Sequence, residues 1–178
     1  TFDMVEAALK RAVELVPDDY RAWFALGESL QTLGDPARAA EAFEKAIQIE
    51  PNESALYTRL GMAQMGMNMP VNAERNFRKA VEMEGEDKPS LDFLAMVLSA
   101  TGRAHEIPSL WKEQVDRNPS HGQTRAKYAI SLMNSGREEE GVEAFEKGLA
   151  EVEDSLALKR FFAPVLHARK ELDRSMDY

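Results

Sequence analysis

Apolar residues recur along this chain with the period of an amphipathic helix. Leu9, Ala12, Val13 and Val16 share one face of residues 3–16 at i, i+3, i+4, i+7 spacing, with polar residues between them. Pro17 and Asp18 stop that helix and open the next. The pattern resumes over 20–33 with Trp23, Leu26, Gly27 and Leu30, and again over 36–49 with Ala39, Ala42, Phe43, Ala46 and Ile47. Gly34 suits a left-handed helix end, and Pro36 falls in a first turn that tolerates proline. The whole series then returns. Phe43, Phe77, Trp111 and Phe145 stand 34 residues apart, as do Gly27, Gly61, Ala95 and Ala129, and as do Pro17 and Pro51. A fixed period of this length predicts stacked helix pairs that bury their apolar faces on one another rather than in one closed core.

The register divides the chain into a half-repeat over 1–19, full repeats over 20–53, 54–87, 88–121 and 122–155, and a capping helix over 156–178, all in a single domain. Asn68 takes the helix-ending place of Gly34, which asparagine also tolerates. Small residues at Gly27, Gly61, Ala95 and Ala129 mark where the two helices of a hairpin cross closely. The large Phe43 series fills the space between hairpins. The register has departures. Arg125 stands where Trp23 does, Gly148 enters the last full repeat, and residues 85–89 replace a Pro17-type boundary. Pro108 lies inside a second helix, so the helix near 104–117 should start late or bend. Phe162, Ala163 and Leu166 carry the register into the cap, where Pro164 should kink or split the helix.

These residues resemble the tetratricopeptide repeat family, whose signature is W-x2-L-G-x2-Y, then A-x3-F, then P. The best copy here is Trp23, Leu26, Gly27, Leu30, Ala39, Phe43, Ala46 and Pro51. The resemblance implies an all-α fold, a right-handed superhelical solenoid of antiparallel helix pairs, with the first helix of each pair lining a concave face. It implies a scaffold for binding proteins rather than an activity. Helical spacing puts positions 21, 24, 28 and 31 on a face distinct from the packing face. Their echoes form rows: Phe24, Thr58, Asp92, Ala126; Glu28, Met62, Met96, Ile130; Gln31, Met65, Ser99, Met133. Methionine is flexible and polarizable and lines surfaces that accept varied apolar partners. The candidate groove is therefore Phe24, Met62, Met65, Met96, Ile130 and Met133. Its centre is the four methionines, and for Phe24 and Ile130 core packing is the simpler role. Some relatives grip the C-terminal carboxylate of chaperones with Lys, Arg and Asn on this face; the rows here lack that clamp.

Composition narrows the picture further. The chain has 178 residues, is 44% hydrophobic and 30% charged, and carries a net charge of −9. That acidity tells against phosphate-backbone binding, so no nucleic-acid partner is expected. No apolar run is long enough to span a membrane. There is no cysteine, hence no disulfide, thiolate metal site or cysteine nucleophile. No leader pattern opens the chain, and the cytoplasm is the favoured compartment. Thr1 falls within a repeat, which reads as a piece of a longer protein.

Chemistry-bearing motifs are missing. His105, His121 and His167 are scattered, with no metal-ligand spacing, and there is no phosphate loop, dinucleotide motif or nucleophile elbow. Glu138, Glu139 and Glu140 begin a helix, where they complement its dipole. Glu86 and Asp87 fall far short of a calcium loop. No catalytic residue, metal or cofactor is expected, and the chain reads as a non-enzymatic adaptor that binds a protein or peptide segment in the apolar, Met-rich groove. Two alternatives accompany it. One is a structural module, including a homodimer formed through the exposed N-terminal half-repeat at Phe2, Met4 and Leu9. The other is the recruiting part of a larger enzyme.

Overall fold

The computed structural model describes residues 2–84, 89–151 and Lys159, and every regular element among them is helical. In chain order the α-helices are α1 (Phe2–Leu15), α2 (Tyr20–Thr32), α3 (Pro36–Ile49), α4 (Ser54–Gly66), α5 (Pro70–Met83), α6 (Ser90–Ala100), α7 (Ile107–Arg117), α8 (Gly122–Asn134) and α9 (Glu138–Glu151). They fall into two compact units, residues 1–101 with α1 to α6 and residues 102–178 with α7 to α9. The expected capping helix with Pro164 and His167, and the Glu86–Asp87 pair, lie outside the described residues.

Local chemistry sets the helix ends. The Asp19 carboxylate accepts the Arg21 N–H at 3.0 Å and caps α2, and Asp35 accepts from Arg38 N–H at 3.1 Å to cap α3. Pro36 and Pro70 occupy first-turn positions. Gly34 and Gly136 leave their helices in the left-handed region, and Asn68 does the same at φ 58°. Pro108 has the effect its position predicts. Residues Ala104–Glu106 form a 3-10 turn, and the α-helix begins only at Ile107, so the proline needs no N–H partner.

In unit 1, Leu26, Leu30, Ala39, Phe43, Leu60 and Ala63 share one buried core. The hairpin crossings explain the glycines. A Cβ on Gly27 would lie 2.5 Å from the Phe43 ring, and one on Gly61 would lie 2.6 Å from the Phe77 ring. Phe43 and Phe77 are fully buried in those crossings. Unit 2 is built on Ala126, Ala129 and Phe145.

The position of Trp23 serves a polar purpose as well as packing. Trp23 Nε1 donates to the Pro17 carbonyl at 2.9 Å, and Tyr57 Oη donates to the Pro51 carbonyl at 3.0 Å. Arg125 Nε donates to the Pro119 carbonyl in the same way. In each case the donor follows the proline by six residues, so a carbonyl left open at a helix boundary gains a partner. Arg125 thus keeps the donor that its apparent departure from the repeat seemed to lose. Its buried guanidinium is balanced by Glu151, with Nη2 at 2.5 Å from the carboxylate. Leu91 has no donor to offer. Its neighbour Ser90 donates from Oγ to the Glu84 carboxylate at 2.5 Å and shares a hydrogen bond with Thr58 Oγ1.

Candidate functional site

In unit 1 the first helices α2, α4 and α6 are neighbours, α4 touching both of the others. Their faces divide as helical spacing requires. Leu60, Ala63, Leu94 and Val97 point into the core and are buried. Met62 and Met65 of α4 are half-buried, and Met96 of α6 is 48% exposed. Met62 and Met96 hold equivalent register positions on these adjoining helices. Arg59 of α4 spans to Glu28 of α2 at 2.9 Å, and its other terminal nitrogen lies 3.9 Å from the Met62 sulfur. The unit therefore presents three partly accessible methionines with an ion pair at their border.

The remaining candidates are placed differently. Phe24 is half-buried and packs its ring against Phe43, with centroids 5.9 Å apart. Ile130 and Met133 belong to unit 2, where both pack on the core of Ala126, Ala129 and Phe145. Met133 sits where a side chain at Gly141 would have to go, so it fills the α8–α9 crossing. The structure thus groups Met62, Met65 and Met96 in one unit and gives Phe24, Ile130 and Met133 packing contacts.

One feature was not legible in the sequence. A cleft of about 470 Å³ lies in unit 2 among α7, α8 and α9. Val115, Pro119 and Ala144 give it apolar walls, and Tyr128 and Arg125 come from α8. Its rim is charged: Lys112 pairs with Asp116 at 2.8 Å, and Glu143 and Lys147 line it from α9. None of the sequence-derived groove residues lines it. Its residues come from three helices and from Pro119 between two of them, and the register departure at Arg125 is the sequence's hint that this hairpin differs from those before it.

No group of three or more His, Cys, Asp or Glu among the described residues is placed to hold a metal ion. No described helix is long and apolar enough to cross a membrane.

Comparison with known proteins bears on this arrangement. Residues 5–54 match the profile of the tetratricopeptide repeat family. That match, with the helix pairs described above, supports a tetratricopeptide repeat assignment. Among solved structures it is similar to MamA, with a TM-score of 0.68 at 19% identity, covering 84% of this chain and 87% of that one. A second MamA structure gives a TM-score of 0.68 at 18% identity, over 92% of this chain and 85% of that one. It is also similar to YrrB, described as a TPR protein with an unusual peptide-binding site. There the TM-score is 0.62 at 21% identity, over 95% of this chain and 84% of that one. No curated protein sequence matches the chain. At these identities the likeness is one of fold, an all-α tetratricopeptide architecture. Family and fold together support a protein-interaction scaffold.

Proposed function

We propose that this chain is a non-catalytic scaffold that binds an apolar or amphipathic peptide segment of a partner protein on the first-helix face of unit 1. The observation that carries the reading is the partial exposure of Met62, Met65 and Met96 on α4 and α6, beside core residues that are fully buried. Half-exposed methionines repack around varied apolar side chains at little conformational cost. The Arg59–Glu28 pair offers a hydrogen-bonding edge for peptide backbone or polar side chains. The net charge of −9 favours a neutral or basic segment over a polyanion. The peptide-binding site named for YrrB makes a peptide ligand a natural one for this fold.

The test is capture of partners from source lysate by the intact chain and by the double variant Met62→Glu with Met96→Glu. Both positions are partly exposed, so helicity and melting should be nearly unchanged, while capture is lost. Equal capture by both proteins would place the interface elsewhere. Unfolding of the variant would show that the methionines are core.

A further inference from the structure

The cleft of unit 2 is floored by two residues that depart from the repeat. Arg125 stands where Trp23 and Tyr57 do, and Tyr128 stands where Leu26, Leu60 and Leu94 do. Those three leucines are buried, whereas Tyr128 is half-buried and lines the cleft. Its hydroxyl has no partner among the described residues. The Arg125 side chain is only 7% exposed, and its Nε and Nη2 are held by the Pro119 carbonyl and by Glu151. Nη1 has no partner among the described residues, so two N–H groups of a desolvated guanidinium stay open. No unpartnered side-chain nitrogen or oxygen among the described residues is sealed from solvent. Nη1 is therefore reached from outside, through the cleft that Arg125 lines. A donor so placed calls for an acceptor.

Charge indicates the rest of the ligand. Lys112 pairs with Asp116 at 2.8 Å and Glu140 with Arg137 at 2.5 Å, while Arg125 and Lys147 both turn to Glu151, at 2.5 and 4.0 Å. Glu143 is the lining carboxylate left without a partner among the described residues, and it is exposed at the rim. The open charge is thus negative, in a chain of net charge −9. Val115, Pro119, Ala144 and the Tyr128 ring line the same cleft. On such a wall the aliphatic stem of a basic side chain packs while its cation stays at the rim. Glu143 precedes Glu151, the partner of Arg125, by eight residues, or about 12 Å along α9. An extended chain covers that distance in roughly three to four residues.

We propose that this cleft docks a short, extended basic segment of a partner protein. A lysine or arginine of that segment sets its cation against Glu143 and its stem along the apolar wall. A backbone carbonyl towards the Pro119 end accepts from Arg125 Nη1. The site lies wholly within unit 2 and does not depend on the methionine face of unit 1.

The probe is the end-blocked peptide acetyl-Ala-Leu-Ala-Arg-Ala-Ala-amide, titrated into the isotope-labelled intact chain and followed by amide shifts. Saturable shifts are expected in α7, α8 and α9. Glu143→Gln should weaken binding by about fivefold. Citrulline in place of the peptide's arginine removes the charge, keeps the shape and should weaken it similarly. Glu146→Gln is the control: it removes the same charge from an exposed position of α9 outside the cleft, and affinity should be unchanged. Both glutamates are exposed, so circular dichroism should show both variants folded. Absence of saturable binding, shifts confined to unit 1, or equal binding of the citrulline peptide would overturn the proposal. Equal losses in Glu143→Gln and Glu146→Gln would overturn it too, by assigning the attraction to the acidic surface at large.

Discussion

Gln64 and Asn76 show how a repeat absorbs departures from its pattern. They replace Leu30 and Ala42 of the preceding repeat, and both are buried. Alone, either amide would be a costly group in an apolar crossing. Together they close a hydrogen bond at 2.7 Å between α4 and α5. Buried Arg125 and the exposed Glu151 are a second polar pair, standing where Trp23 and Ile49 do in the first full repeat. The pairing has a measurable consequence. Gln64→Leu, which strands the Asn76 amide, should cost roughly 1–3 kcal/mol, and Asn76→Ala should cost a similar amount. The double variant restores the apolar pattern of the first full repeat and should lie close to wild type. A double-mutant cycle by urea unfolding checks this, and simple additivity of the two losses would refute the coupling.

At the scale of elements, α1 is fastened by charge as well as by packing. The Glu6 carboxylate accepts from Lys10 at 2.7 Å and from Arg38 of α3. The hydrogen bond from Lys10, then that from Arg38, holds the Glu6 carboxyl below the ordinary carboxylate range. The sign of the pH effect follows. A carboxyl whose folded pKa is depressed stabilises the fold above its unfolded pKa, and that contribution is lost as pH falls through the lowered folded value. Glu6→Gln should therefore lower amide-exchange protection in α1 at neutral pH. The difference from wild type should shrink as pH drops below the usual carboxylate range. An exposed pair has a small effect that salt screens, so the difference should also fall at high ionic strength. A gap that persists at acid pH would assign the effect to packing of the Glu6 stem.

Across the molecule, stability in stacked repeats is close to a sum of unit and neighbour terms, so position along the array matters. Within unit 1 the buried aromatics lie in α3 and α5, while α1 leaves Met4, Val5 and Leu15 exposed. Native-state amide exchange should therefore find α3 to α5 the most protected and α1 the first to open. Phe77→Ala, which empties a fully buried crossing, should cost roughly 3–5 kcal/mol and lower protection in both α4 and α5. Equal protection of α1 and α5 would contradict this order.

The sequence by itself determined the helices, their 34-residue register, the all-α tetratricopeptide fold and the sites of close crossing. These follow from local facts: apolar period, proline and glycine punctuation, and small residues at the crossings. The Phe43 series, expected between hairpins, instead reaches into its own crossings, where Phe43 and Phe77 lie against Gly27 and Gly61 because only glycine leaves room for the ring. The late start of α7 was legible too, because proline acts on its own turn. The tertiary structure decided which face residues stay accessible. Helical spacing put Met62, Met96 and Met133 on equivalent faces, but Gly141 opens the α8–α9 crossing and Met133 fills it. Only three-dimensional neighbours reveal that Arg125 replaces an aromatic donor, that Gln64 answers Asn76, and that three helices enclose a charged cleft in unit 2. Each of these depends on side chains distant in sequence meeting across a helix boundary, and a period along one chain carries no record of that meeting.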